Sequence, residues 1–235
     1  HQCVFNAIKF MNEDLIDKAI NILDANFQKG GFTIPSKGLY PFQWKWDSGF
    51  IAIGFAHYDI EKSKTEIRTL LNAQWDNGFI PHIIFHTDND SYFPGADFHQ
   101  SELHPKSSKK YRSTGMTQPP VTGFVLQEMY RIAKDKESML NFIREQIEKV
   151  YQNHVYFYTN RDPQNEGLIY IYHNWESGTD NSPVWDDIWM TMNPPQYNFT
   201  RKDTTHVDAS QRPSNREYDH YLHLIDIAKE NNYDD

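Results

Sequence analysis

Apolar side chains recur at helical spacing in six stretches of the chain, and long polar and aromatic segments separate these stretches. Residues 12–28 place Leu15, Ala19 and Ile22 three or four positions apart, the pattern of one buried helical face, with Asn12 as a candidate cap. Further apolar stretches predict five more helices, at 48–59, 61–74, 120–135, 136–158 and 216–232, and the stretch 120–135 begins with a proline. The 48–59 stretch is apolar on all sides, so we expect it to be buried, with 61–74 as its antiparallel partner.

Four long segments join these helices, and convincing strands are few. They span residues 30–44, 78–117, 159–187 and 189–214. Loops of this length usually carry function or disorder, and their aromatic and proline content favours order. Helix pairs joined alternately by short turns and long loops predict an all-α helical toroid with its loops at one mouth. No repeat and no change in composition marks a linker, so we predict one domain over residues 1–235.

The composition narrows the classes of function. Aromatic residues make up 15% of the chain, and many lie beside Gly, Pro, Asp or Asn, a context that favours ligand pockets over core filling alone. A net charge of −9 argues against nucleic-acid and anionic-membrane partners. The single cysteine, Cys3, excludes an internal disulfide framework, and no apolar run reaches membrane-spanning length. We therefore expect a cytoplasmic protein.

The segment "GLYPFQWKWDSGF" is the first candidate for chemistry. If it is helical after its proline, Tyr40, Trp44 and Asp47 lie four and three residues apart on one face, and Trp46 flanks the acid from the other side. Helix signals alone favour a cap at Asp47 for the buried helix that follows. The surrounding rings favour a sugar subsite instead.

Two amides are further candidates for ligand contact. Gln74 opens "QWDNGFIPH", in which ordinary turn chemistry explains the Asp-Asn-Gly that follows. Gln118 precedes two prolines that stiffen the backbone. A firmly held amide can bind vicinal hydroxyls, or it can equally satisfy a backbone group, and the sequence leaves both options open.

The segment "WESGTDNSPVWDD" contains two acids four residues apart, Glu176 and Asp180, with Trp175 and Asn181 beside them. A carboxylic acid partly dehydrated among indole rings keeps its proton to higher pH, as a general acid near neutrality must. Cleavage of a glycosidic bond typically uses one such acid with a second carboxylate. Phosphate-binding loops, the Gly-x-Ser-x-Gly motif and the His-Glu-x-x-His motif are absent from the sequence.

Five segments together resemble glycoside hydrolase family 63, in the branch of the mannosylglycerate and glucosylglycerate hydrolases. They are "YPFQWKWDSGF", "QWDNGFIPHIIF", "TQPPVTGF", "WESGTDNSPVWD" and "RKDTTHVDASQRPSNREYDHYLHLI", and they occur in the family's order. Two of them also resemble the related trehalases. The resemblance implies an (α/α)6 barrel and hydrolysis of an α-glycoside with inversion. It implies no metal or organic cofactor, because proton transfer and attack by water need only carboxyl groups.

Within this resemblance Asp180 matches the general acid. The positions that match the sugar pocket are Tyr40, Trp44, Trp46, Asp47, Gln74, Gln118, Trp175, Glu176, Gly178 and Asn181. Arg212, Arg216 and Tyr218 match positions near the aglycone. Other activities of the clan, on trehalose or oligosaccharides, and a catalytically silent carbohydrate-binding half-barrel remain as alternatives.

The resemblance also implies that a part is missing. Family members are about twice this length, and their general base comes from the other half of the barrel. An inverting enzyme needs two carboxyl groups about 6.5–9.5 Å apart, and we expect neither Asp47 nor Glu176 to serve as the base. We therefore expect half a toroid with exposed apolar faces, which associates tightly or precipitates unless a second half or an associated chain covers it.

Overall fold

The computed structural model describes residues 2–89, 91–201 and 208–234. Helices dominate the described chain, and three very short strands occur in the segments between them. The helices are α1 (Gln2–Asn26), α2 (Lys45–Ala56), α3 (Ile60–Leu71), α4 (Ala96–His99), α5 (Thr122–Ile132), α6 (Lys136–Asn160), α7 (Asp186–Thr191) and α8 (Asn215–Glu230). The strands are β1 (Gln43–Trp44), β2 (Ile83–Phe85) and β3 (Arg112–Ser113).

All six predicted helices are present, and five of them agree with the prediction to within a few residues. Side-chain caps fix several starts: Asp59 accepts a hydrogen bond from the Lys62 amide at 3.0 Å, and Asp135 accepts one from the Ser138 amide at 2.9 Å. Helix α1 begins at Gln2, ten residues before the predicted start. Asparagine caps helices well but costs a helix interior only about 0.7 kcal/mol, so one Asn did not have to mark a boundary.

The three strands form one antiparallel sheet in the order β1-β2-β3. Gln43 pairs with Ile84, and Ile84 pairs with Ser113 on its other side. Backbone hydrogen bonds continue the arrangement, from the Lys45 amide to the His82 carbonyl at 3.0 Å and from the His82 amide to the Met116 carbonyl at 2.8 Å. The sheet therefore holds the first turn of α2 beside the segment that leads to α5.

The main core lies where α2, α3, α5 and α6 pack together. Its members come from the apolar faces that the sequence predicts, for example Ala52, Ile67, Leu70, Val125 and Met139, all buried. A second, aromatic cluster around Phe42 and Trp44 packs between the sheet and the following loop. The second cluster thus holds Trp44, the residue directly before α2, while the main core holds Ala52 of the helix itself.

Part of the apolar surface faces solvent. Leu15 and Ile22 of α1 are exposed, so the face of this helix that the pattern predicts to be buried is open in the structure. On α6, Ile147 and Tyr151 are about half exposed and fall on one face of the helix, and Leu168 is 73% exposed in the segment that follows. Contiguous exposed apolar surface usually marks a contact site. Among the described residues no helix has the length and apolarity needed to cross a membrane.

Candidate active site

A tight turn between α6 and α7 carries the predicted acid. His173 Nδ1 accepts a hydrogen bond from the Trp175 amide at 3.1 Å and so starts a short 3-10 helix over Asn174–Glu176. Gly178 follows in the left-handed conformation with φ +72°. Asn174 Nδ2 then donates to the Asp180 carbonyl oxygen at 3.1 Å, which fixes the backbone of the acid. The turn is therefore locked by its own side chains.

Asp180 lies on the exposed surface of its turn, which we call the open face. Asp47 and Arg212 are within electrostatic reach of its carboxyl. The Asp180 side chain is exposed, yet atoms crowding the turn remove enough hydration to raise the pKa of its carboxyl, and Arg212 opposes this increase. Burial also raises the pKa of Asp47; a hydrogen bond to its own backbone lowers it, and the charge of Asp180 raises it further. Two carboxyl groups with raised pKa values thus interact electrostatically.

Tyr40 and Arg212 meet at the edge of this site, although they are far apart in sequence. Arg212 Nη2 donates to the Tyr40 hydroxyl at 3.4 Å. The Tyr40 ring packs edge-on against Trp44, with ring centroids 5.4 Å apart. Trp44 itself is only 6% exposed and belongs to the aromatic core, where it supports the ring of Tyr40. Contact of Trp44 with a sugar stays a prediction.

Gln118 connects its loop to the first turn of α2. Its Oε1 accepts a hydrogen bond from the Trp46 amide at 2.9 Å, so one of the two roles left open by the sequence, satisfaction of a backbone group, is present. The donor end of the amide, Nε2, remains for a second role. Trp46 is half-buried and packs against the exposed ring of Phe50 at 5.1 Å.

Trp175 and Tyr218 belong to a dense set of rings below the turn. The Trp175 ring lies 5.6 Å from Tyr221 and 6.2 Å from Tyr218. Tyr218 has the Arg201 guanidinium 4.0 Å from its ring centroid. A shallow cavity beside them is lined by Tyr40, Tyr218, Arg201 and further residues of the adjoining loops. Burial raises the pKa of Tyr221, and the charge of Asp180 raises it further, so this set of rings lies near the acid.

Three predicted site residues have other roles in the structure. Gln74 Nε2 donates to the carbonyl oxygens of Gly78 and Lys149, at 2.8 and 2.7 Å, so this amide braces a turn against α6. Arg216 donates to the Pro194 carbonyl at 2.9 Å and borders a separate depression beside α7. Contact of these two side chains with a ligand at the Asp180 site stays a prediction.

Glu176 is the third of these positions, and its prediction is corrected because its side chain is completely buried. Arg161 binds it through two hydrogen bonds, at 3.1 and 3.2 Å, and the backbone amides of Thr117 and Tyr172 donate to it at 3.0 and 3.1 Å. Both oxygens are thus used inside the protein. Glu176 lies under the turn that carries Asp180 and cannot touch a ligand. Asn181, in contrast, is exposed next to the acid.

Two buried cations were missed by the sequence analysis. Arg161 follows α6 and is fully buried. Lys45 stands between two tryptophans, and its Nζ donates to Thr117 Oγ1 at 2.9 Å and to the Gln118 carbonyl at 2.7 Å. Burial lowers the pKa of Lys45 to about 7; nearby Glu176 raises it, and Arg161 lowers it. Charged residues are rarely buried, so composition alone gave no signal for either.

The part of the chain that the structure describes contains no evident binding site for a metal ion. No group of three or more His, Cys, Asp or Glu side chains is arranged there to hold an ion. The buried histidines His82, His99 and His173 all have lowered pKa values, mainly through burial. These rings are neutral packing elements near neutral pH.

Curated relatives align with almost the whole chain. A mannosylglycerate hydrolase of Selaginella moellendorffii is 40% identical over 96% of this chain and 45% of its own length. A mannosylglycerate hydrolase of Rubrobacter radiotolerans is 39% identical over 95% and 51%. A glucosylglycerate hydrolase of Mycolicibacterium hassiacum is 37% identical over 96% and 52%. The chain thus spans about half the length of these relatives.

Solved structures give the same result for the fold. The crystal structure of the GH63 mannosylglycerate hydrolase from Thermus thermophilus in complex with Tris and D-glycerate matches with a TM-score of 0.83, at 38% identity, over 94% of this chain and 51% of that one. The same enzyme in complex with glucose matches with a TM-score of 0.77. The predicted helical fold is confirmed, and it matches about half of the length of that chain. Residues 40–235 match the family described as the mannosylglycerate hydrolase MGH1-like glycoside hydrolase domain, and the chain belongs to this family.

Proposed function

We propose that the protein hydrolyses the α-glycosidic bond of a small glycoside such as glucosylglycerate or mannosylglycerate, with inversion and with Asp180 as general acid. One observation carries this proposal: a carboxyl with a raised pKa stands on a locked turn, within electrostatic reach of a second carboxyl and a guanidinium. The names of the relatives agree with the substrate class. Asp180 would donate its proton to the departing glycosidic oxygen.

The sugar would bind on the open face between aromatic rings and amide donors. Tyr40, Trp46 and Trp175 offer half-buried rings, on which the apolar face of a pyranose packs. Gln118 Nε2 would donate to a hydroxyl, because its Oε1 is already held by the Trp46 amide. The geometry thus supplies both the stacking surface and the polar contacts that carbohydrate sites need.

Arg212 is the group best placed to recognise an acidic aglycone. Its guanidinium is half-buried, contacts the Tyr40 hydroxyl and lowers the pKa of Asp180. A guanidinium binds a carboxylate with two parallel hydrogen bonds. We infer that the carboxylate of a glycerate-type aglycone binds Arg212 while its glycosidic oxygen faces Asp180.

The general base is proposed to come from outside residues 1–235, which we regard as one part of a barrel domain. Inversion requires a carboxylate on the opposite face of the sugar, about 6.5–9.5 Å from the acid with room for water. The relatives are about twice as long as this chain. We propose that a second half-barrel brings the base and covers the exposed apolar face of α6.

The decisive experiment compares wild type, Asp180→Asn and the matched control Asp187→Asn, which removes an exposed acid on α7. Each protein is prepared together with the second half-barrel that is proposed to bring the base. It is then assayed for hydrolysis of glucosylglycerate, mannosylglycerate, trehalose and maltose, and for binding of each glycoside by calorimetry. We expect Asp180→Asn to lose at least about a thousandfold in kcat while its binding remains, and the control to match wild type. Undiminished turnover by Asp180→Asn overturns the assignment of the acid.

The same panel separates the alternatives. Preference for trehalose or maltose over the two acidic glycosides would place the protein with the neutral-substrate members of the clan. The silent-binder alternative has one supporting observation: among the described carboxyl groups, Asp47 is the one whose pKa responds to Asp180, and burial raises the pKa of Asp47, which weakens it as a base. Binding without turnover in both wild type and Asp180→Asn would favour that alternative.

A further inference from the structure

Three segments that carry site residues meet at one buried ionic cluster, which we call the anchor: Lys45, Arg161 and Glu176. Lys45 precedes Trp46 and Asp47 on α2, Glu176 precedes Asp180 by four residues, and both bind the loop that ends in Gln118. All three side chains of the anchor are buried. Substrate-facing parts of the fold are therefore connected below the surface by charged groups.

The Glu176 carboxylate is the centre of the anchor. Arg161 pairs with both of its oxygens, and the backbone amides of Thr117 and Tyr172 fill the remaining acceptor positions. A carboxylate bound by four donors in a dry environment has one orientation. The start of the Asp180 turn is thereby tied to the loop of Thr117.

Lys45 ties that same loop to α2. Its Nζ donates to the hydroxyl of Thr117 and to the carbonyl of Gln118, and the Gln118 side chain in turn accepts from the Trp46 amide. The pKa of Lys45 responds to Glu176, so the amine and the carboxylate interact although they share no direct hydrogen bond. A displacement of Glu176 would therefore reach both the Asp180 turn and the first turn of α2.

Stability alone is a poor reason to keep such a cluster. Desolvation of buried ions commonly offsets their attraction, so apolar residues of the same size serve a core equally well. What ions add is orientation, because their hydrogen bonds are satisfied in only one arrangement. The cluster also lies directly under the acid turn, where orientation matters for chemistry.

We propose that Glu176, with Arg161 and Lys45, is a positioning residue that sets the placement of Asp180 relative to Asp47 and Gln118. This inference rests on the proposed function but concerns side chains that touch no substrate. The variant Glu176→Gln keeps the shape of the side chain and places an NH2 group against donors that need an acceptor, so the arrangement must shift. A shift of about 1 Å at a reacting centre can lower kcat about 100-fold.

The test is made in the natural protein with Glu176→Gln and the control Met139→Ala, which leaves a cavity in the main core away from the anchor. Thermal unfolding first establishes that the two variants are folded at the assay temperature and similarly destabilised. We expect Glu176→Gln to lose about 100-fold in kcat with KM changed by less than about threefold, and Met139→Ala to keep both values near wild type. Equal losses in the two variants, or an unchanged kcat in Glu176→Gln, would overturn the proposal.

A second measurement decides the matter even if wild type cleaves none of the glycosides. Hydrogen–deuterium exchange is compared between a peptide covering residues 177–185 and one covering α3. We expect Glu176→Gln to speed exchange in the first peptide about tenfold relative to the second, while Met139→Ala leaves this ratio unchanged. An inactive wild type with this exchange pattern refutes the proposed function and keeps the anchor; an unchanged ratio in Glu176→Gln refutes the anchor itself.

Discussion

Acid should destabilise this protein through its buried histidines, and a buried carboxyl should oppose the effect. Burial lowers the pKa of His99 and of His173 from 6.5 to about 3. Their surroundings explain the direction. Neither ring nitrogen of His99 has a hydrogen-bond partner among the described residues. His173 Nδ1 accepts from the Trp175 amide, a bond that protonation of this nitrogen would destroy.

Glu66 acts in the opposite sense. Burial raises the pKa of its carboxyl from 4.5 to about 7, although Ser48, Thr33 and Gln43 donate hydrogen bonds that lower it. Because the pKa of Glu66 is raised in the folded state, its contribution to the free energy of unfolding is full below the unfolded pKa and is lost as the pH rises through about 7. Because the pKa of each buried histidine is lowered in the folded state, its contribution is full above pH 6.5 and is lost as the pH falls toward 3.

The magnitudes decide the net direction. Between pH 7 and pH 5, each of the two histidines lowers the free energy of unfolding by about 2 kcal/mol, and Glu66 raises it by about 2 kcal/mol. These three groups alone give a net loss of about 2 kcal/mol at pH 5. Burial also lowers the pKa of His86 to about 4, so His86 adds to the loss. The pKa of His82 is also lowered, mainly by burial, so His82 adds to the loss.

Urea unfolding at pH 5, 6 and 7, followed by tryptophan fluorescence, tests this reasoning with three variants. Glu66→Gln should increase the loss between pH 7 and pH 5 by about 2 kcal/mol, and His99→Gln should reduce it by about 2 kcal/mol. The matched control, His57→Gln, replaces an exposed ring and should leave the pH dependence unchanged. If Glu66→Gln and His99→Gln both follow the wild-type curve, the buried groups do not titrate as argued.

Three other substitutions make separate tests. Gly78→Ala should lower the free energy of unfolding by about 3 kcal/mol, because a Cβ there would lie 2.3 Å from the Gln152 carbonyl oxygen at a backbone φ of +91°. Gly178→Ala should cost only about 1 kcal/mol, measured in the same urea titration, because its Cβ would meet Pro119 at an ordinary 3.6 Å and only the left-handed backbone resists. Arg212→Gln should lower kcat/KM about 100-fold for acidic glycosides and much less for neutral ones in a substrate panel.

Each of these three expectations has a contrary result. Equal destabilisation by the two alanine substitutions would mean that the distance from the added Cβ to its nearest neighbour does not decide the cost of the substitution. Equal losses on acidic and neutral glycosides would remove Arg212 from recognition of the aglycone carboxylate. A loss confined to neutral substrates would contradict its assigned role directly.

The helical skeleton was predictable because it depends on periodic patterns. Helices α3, α5, α6 and α8 each carry an apolar stripe with a cap or proline near the start, and α2 is apolar on all sides; these local signals agree with the packing. The sheet was not predictable, since its strands have only two or three residues and depend on pairing between distant loops. Local sequence contains little information about such contacts.

The site was predictable as a set of segments but not side chain by side chain. Spacing put Glu176 and Asp180 in one turn, yet it did not reveal that Glu176 points inward to Arg161 while Asp180 remains on the open face. Lys45 was missed for the converse reason: a lysine between two tryptophans normally extends into water. Which side of an irregular turn faces the solvent is decided by tertiary partners that the sequence does not display.

The buried amine of Lys45 has a chemical consequence of its own. Burial lowers the pKa of Lys45 to about 7, so the uncharged, nucleophilic form of this amine is more accessible near neutral pH than it is for an exposed lysine. Packing shields it from electrophiles as long as the first turn of α2 stays closed. An acylating reagent would therefore modify this lysine only while the first turn of α2 is transiently open. The rate of modification would measure how often this turn, which also carries Trp46 and Asp47, opens.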